Sequence, residues 1–169
     1  HEEYYNGFAN SVLWPACHML IQHLEFRAEP WERYQEVNRR FGGEVRAEVI
    51  RLRPDLKSGF GTGMQLVPNG QRVRFGFSSP RAILHFTVLH PVRHGASMKD
   101  ARAKIFELQQ ARGLTNINFA ALIAGTPRLD DPTLGSKQRE QLRANRYEIE
   151  AEADAVGLRW YSAHSATEG

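Results

Sequence analysis

A single cysteine, Cys17, stands among 169 residues, so an internal disulfide framework is excluded and a reducing, cytoplasmic setting is the expectation. No segment approaches the roughly 18 consecutive apolar residues of a membrane-spanning helix. The first residues lack the basic flank, apolar run and small-residue cleavage site of a signal peptide, and none is expected. Residue 1 is His rather than Met, which suggests a start inside a longer reading frame. No repeat recurs at periods of 20 to 50 residues, so a solenoid is not expected. Charge of neither sign dominates: the formal net charge is +3. The small surplus comes from arginine between Arg39 and Arg93, without a dense basic run. Such a balance suits phosphate-bearing ligands or nucleic acid, and equally an ordinary solvated surface.

What is present is globular in kind, with 41% hydrophobic, 24% charged and 10% aromatic residues. The texture changes near Gly42-Gly43, and the chain divides there into residues 1–43 and residues 44–169. Before the glycines, Phe8, Val12, Leu13, Cys17 and Leu20 recur at helical spacing, with Pro15 as a kink. Pro30 opens a second helix, Trp31 to Phe41, closed by Gly42, with Trp31, Tyr34 and Val37 as its core side.

After the glycines the pattern is α+β. Glu44 to Leu52 alternates as a half-buried strand would. Met64 to Val67 and Arg72 to Phe77 flank Pro68-Asn69-Gly70-Gln71, the signature of an antiparallel hairpin. Ile83 to Leu89 reads as a strand stopped by Pro91. Met98 to Ala111 reads as a helix ending at Gly113, and Asn116 to Ala124 as a short apolar one. Ser136 caps a long charged helix that ends at Gly157, and Leu158 to Ser162 forms a last strand. The whole is read as a helical N-terminal segment followed by a small α+β region with an antiparallel sheet.

The most informative residues are Tyr4-Tyr5-Asn6-Gly7-Phe8-Ala9-Asn10-Ser11-Val12-Leu13-Trp14-Pro15, with His18, and then Trp31-Glu32-Arg33-Tyr34-Gln35-Glu36-Val37-Asn38. They resemble trehalose-6-phosphate synthase, a retaining glycosyltransferase of two Rossmann-like domains. Its members carry a Tyr-Tyr-x-x-Phe-x-Asn-x-x-Leu-Trp-Pro-x-x-His run followed by a Trp-x-x-Tyr-x-x-Val-Asn helix. The resemblance covers about residues 4–41. It implies that Tyr5 and Trp14 contact glucose 6-phosphate, the acceptor of a glucosyl group from UDP-glucose. A phenol can donate to a phosphate oxygen, and an indole offers a flat face to a sugar plus an N–H donor.

Departures from the family limit what the resemblance implies. Negative charge grows on the departing UDP in the transition state and needs a cationic cradle. The family's Arg-x-Asp-Tyr-x-Lys-Gly run, which supplies it, is absent here, as is the His-Asp-Tyr-His segment after the Val-Asn helix. The glycine-rich loop and arginine of the family's N-terminus would precede residue 1. Two doubly wound domains also need on the order of 300 residues. The expectation is therefore a partial or truncated synthase-like chain. It would bind glucose 6-phosphate, would meet UDP-glucose only if a donor-binding half were supplied, and would be inactive alone. No catalytic residue and no cofactor is assigned.

Other clusters point to less. His85 and His90 are an odd number of residues apart, on opposite faces of a strand and roughly 16 Å apart along it, which argues against one metal ion. Pro91 ends the strand before His94. Cys17, His18 and His23 give no nucleophile–base pair. Ser58-Gly59-Phe60-Gly61-Thr62-Gly63 lacks the Lys-Ser/Thr of a phosphate loop and reads as a flexible connection. Glu148, Glu150, Glu152 and Asp154 read as a solvated helix face, and Asp130-Asp131 as part of a turn. The alternative function is nucleic-acid binding or another interaction role for residues 44–169, resting on a helix-turn-helix rhythm between Ala103 and Gly125.

Overall fold

The computed structural model describes residues 33–163. The first element, α1 (Tyr34–Leu52), is a single helix that runs straight through Gly42 and Gly43. The helix expected to close at Gly42 and the strand expected to begin at Glu44 are one element. Val37, Phe41, Val45 and Val49 explain it: they recur every fourth residue and are all buried. Burying four such side chains yields about 1.5–3 kcal/mol each, which outweighs the roughly 1 kcal/mol that each mid-helix glycine costs. The alternation of Val45, Ala47 and Val49 imitates a strand although Val45 and Val49 belong to the buried helical face and Ala47 is exposed. Pro54, beyond the C-cap Arg53, stops α1 and begins a short 3-10 helix (Pro54–Gly59).

The glycine-rich stretch that follows is packed rather than loose. A Cβ on Gly59 would lie 2.4 Å from Cε2 of Phe77, so only glycine allows the close approach. Phe60 meets Phe77 edge to face at 5.2 Å. Next comes the expected hairpin, β1 (Gly63–Gln65) antiparallel to β2 (Arg72–Arg74). Its turn is set by Pro68 and Asn69 rather than by Asn-Gly. Asn69 has φ of 59°, and the Gly70 amide bonds the Val67 carbonyl at 3.0 Å, the pattern of a type II turn.

The main sheet has the order β3 (Phe77–Ser78), β4 (Ala82–Val88), β5 (Phe119–Gly125), β6 (Arg159–Ala163). Only β3 is antiparallel; β4, β5 and β6 run parallel. The crossovers are α2 (His94–Leu114) and α3 (Ser136–Ala155). Both pack on one face of the sheet, where Ile83, Ala120 and Leu122 meet Ile105, Leu108, Ile149 and Ala153. On the opposite face, Val37, Phe41, Val45 and Val49 of α1 meet Leu84, Phe86, Val88, Ala121 and Ile123. The result is three layers, helix, sheet, helix.

Two sequence expectations change here. The sheet is mostly parallel, and the apolar Phe119–Gly125 is a central strand rather than a helix. Every residue of β4 and β5 is buried, as parallel strands covered on both faces require. A continuous apolar run carries no period that separates buried strand from buried helix, and three alanines tilted the reading toward helix. The helix-turn-helix rhythm falls with it, since its second helix is β5. The end of α3 follows expectation: Gly157 has φ of 73°, its amide bonds the Asp154 carbonyl, and the Leu158 amide bonds the Ala153 carbonyl, a Schellman motif.

Candidate functional site

The three parallel strands end side by side, Val88 beside Gly125 and Gly125 beside Ala163. In open α/β sheets ligands bind outside such carboxyl ends where the strand order reverses; the order of the described strands does not reverse, so what marks this edge is its polar side chains. Several polar side chains gather there. His90, just beyond β4, is fully buried, and its Nδ1 accepts from the amides of Val92 and Arg93, both at 3.0 Å. With Nδ1 an acceptor, the ring is neutral and carries its proton on Nε2. The His90 amide donates to Ser97 Oγ at 2.9 Å, which ties the loop to the first turn of α2.

His94 opens α2. Asn145 of α3 donates its amide to His94 Nδ1 at 3.2 Å, and burial lowers the pKa of this histidine. It is therefore a neutral imidazole near pH 7. Thr126, after β5, and Ser162, on β6, share a hydroxyl–hydroxyl bond of 2.7 Å. Arg93 is exposed at the same edge, whereas Arg128 is paired with Asp130 at 2.6 Å. Asp131 accepts from the amide and hydroxyl of Thr133, the turn that its sequence suggested. Imidazole, hydroxyls and one exposed guanidinium make an edge able to hydrogen-bond a sugar or an anion.

A second polar cluster lies beside β4, and the sequence pattern gave no direct sign of it. The Asp100 carboxylate of α2 accepts from Tyr34 at 2.5 Å and from Thr87 at 2.9 Å, and pairs with Lys104 at 2.8 Å. Lys104 also donates to the Phe86 carbonyl at 2.5 Å. Burial first, and the Asp100 carboxylate second, push the Tyr34 phenol well above its ordinary pKa, so it stays protonated. Tyr34 is expected from its spacing to be core, and it does pack against the core, but its hydroxyl serves this network. The Asp100–Lys104 spacing of four was the available signal. One turn further, His85 Nε2 lies 2.7 Å from Glu107. Burial lowers the pKa of His85, with Glu107 opposing.

The three histidines have different side-chain partners: His85 meets Glu107 of α2, His90 Nδ1 accepts from the Val92 and Arg93 amides, and His94 accepts from Asn145 of α3. Glu148 and Glu152 lie on the exposed side of α3, where both pair with Arg102. Tyr5, Trp14, Cys17, His18 and His23 lie outside the described residues, so no geometry bears on them.

The described residues form a mixed α+β unit whose three parallel strands are joined by α2 and α3. No protein-family model matches the chain, and no solved structure does. Segments of curated trehalose-6-phosphate synthases do match. That of Mycolicibacterium smegmatis is 56% identical over 39 residues, 23% of this chain and 8% of the relative. That of Mycobacterium leprae is 40% identical over 78 residues, 34% of this chain and 16% of the relative. That of Mycolicibacterium gilvum is 54% identical with the same coverage. A segment of this chain is thus similar to those enzymes, and the chain spans 16% or less of their length. Among the described residues no helix is long and apolar enough to cross a membrane.

Proposed function

We propose that this chain is a synthase-like protein that holds glucose 6-phosphate through Tyr5 and Trp14 and does not transfer glucosyl groups by itself. The observation that carries the reading is the segment similarity, up to 56% identity to a trehalose-6-phosphate synthase. It agrees with the Tyr-Tyr and Leu-Trp-Pro runs, which match the positions where the family meets its acceptor with a phenol and an indole.

The second half of the proposal rests on charge. A departing nucleoside diphosphate needs several cations aimed at its phosphates. The carboxyl edge offers Arg93, while Arg128 is already engaged by Asp130, and the sequence holds no Arg-x-Asp-Tyr-x-Lys-Gly run. UDP-glucose turnover is therefore not expected of these residues alone.

Ligand-observed NMR of the chain with glucose 6-phosphate tests the first half, with Trp14→Ala as the control. Saturable binding that the variant abolishes is expected. Binding that survives in Trp14→Ala, or no binding at millimolar ligand, would overturn the acceptor assignment. Trehalose 6-phosphate formed by the purified chain from UDP-glucose would overturn the incapacity.

A further inference from the structure

The outer edge of β4 is unusual. Leu89 directs its amide to the Gly125 carbonyl of β5 at 2.9 Å. Backbone groups alternate sides along a strand, so the even-numbered residues turn theirs away from β5. On that outer side β3 pairs only with Ile83 and Leu84. From Phe86 onward, side chains take the place of a strand. Lys104 Nζ bonds the Phe86 carbonyl, Tyr34 covers the position of Val88, and Ser97 Oγ accepts the His90 amide. Ser97, Asp100 and Lys104 are three and four residues apart, hence on one side of α2, and Asp100 holds both Tyr34 and Lys104 in place.

The strand so covered is Ala82-Ile83-Leu84-His85-Phe86-Thr87-Val88. It is seven residues, four of them strand formers (Ile83, Phe86, Thr87 and Val88), with no proline, no glycine and no permanent charge, a composition open to self-pairing. An open edge on such a strand is a template for an identical one. We propose that the Ser97–Asp100–Lys104 stripe of α2, with Tyr34, is a clamp that closes the β4 edge to strand addition by a second copy of this chain. A lysine with its side chain 15% exposed, donating to a strand carbonyl, fits that role better than it fits solubility. It blocks the approach of another backbone, and a neighbouring strand would take its carbonyl acceptor and bury its charge further.

The test compares the masses of full-length variants by light scattering over a range of concentrations. Lys104→Met removes the donor and keeps most of the side-chain volume. Lys104→Arg keeps a donor. Lys99→Met makes the same change of charge at an exposed position of α2. The expected result is a roughly twofold higher mass for Lys104→Met, with Lys104→Arg and Lys99→Met at the wild-type mass. A wild-type mass for Lys104→Met, or an equal rise for Lys99→Met, overturns the clamp. If Lys104→Met does not fold, Ser97→Ala, which removes the acceptor of the His90 amide, takes its place. A higher mass for Ser97→Ala than for Lys99→Met then supports the clamp, and a wild-type mass overturns it.

Discussion

Replacing Gly43 by alanine decides whether α1 is one helix or two elements, because the two cases give opposite signs. Gly43 is exposed within α1, has no positive φ, and a Cβ built there meets nothing within 4 Å. The substitution adds no clash. It removes only the conformational freedom that glycine keeps in the unfolded chain. In a helix interior that is worth about 0.8–1.0 kcal/mol in favour of alanine. For a chain of this size the gain appears as a rise in Tm of roughly 2–4 °C. Had the helix ended at Gly42, the following glycine would sit in the left-handed region that terminates helices. Alanine would then cost roughly 1–2 kcal/mol. Urea denaturation followed by far-UV circular dichroism measures the difference, with the slope against urea checked to be unchanged. A variant less stable than the parent would refute the continuous helix, and with it the shared core that α1 makes with β4 and β5.

Two further outcomes follow from local geometry. Gly157→Ala places a Cβ at φ of 73° and 3.0 Å from Arg112 Nη1, so it should destabilise by about 1–2 kcal/mol in the same assay; a neutral effect would deny the Schellman end of α3. The His85 pKa is lowered in the fold by burial, so the unfolded chain takes up its proton first as pH falls. The stability tied to neutral His85 is whole above the unfolded value of about 6.5 and is lost as pH falls from there toward the folded pKa. His94 contributes in the same direction, less strongly because it is less buried. His85→Gln, whose amide can still donate to Glu107, should flatten the fall in urea midpoint below about pH 6.5; an unchanged slope would show that His85 does not carry it.

How far the sequence reveals this fold depends on how each element announces itself. The hairpin, α2, α3 and β4 carry local signals: a turn pair, an apolar period, a glycine stop at Gly157, a strand cut by proline, whereas the stop expected at Gly113 is absent, since α2 runs through it to Leu114. All appear within a few residues of where those signals put them. The type of turn was less legible, because Pro68 preorganises position i+1 and moves the positive φ to Asn69. The departures at α1 and β5 share one cause. Their identity is decided by what lies on top of them, and neither a pair of glycines nor a run of alanines reports that. Parallel pairing of β4, β5 and β6 is likewise non-local, and it follows only once β5 is known to be a strand.

The clusters of polar residues show the same limit from the side of function. His90, Ser97, Thr126, Asn145 and Ser162 come from five separate stretches, and register alone brings the strand ends together. Sequence spacing put His85 and His90 on one strand and just beyond its end, which is where they lie. It could not find Tyr34 beside Asp100, because that bond spans 66 residues. This bond also bears on the change of texture at Gly42-Gly43. Tyr34, Val37 and Phe41 precede the glycines, yet they hold Asp100 and pack on Leu84, Phe86 and Val88. A chain cut between Gly43 and Glu44 would uncover that face of β4 and remove Tyr34 from its edge. The helix that carries Tyr34, Val37 and Asn38 of that resemblance is therefore built into the sheet's own core, and whatever residues 44–169 do, they do it with that helix in place.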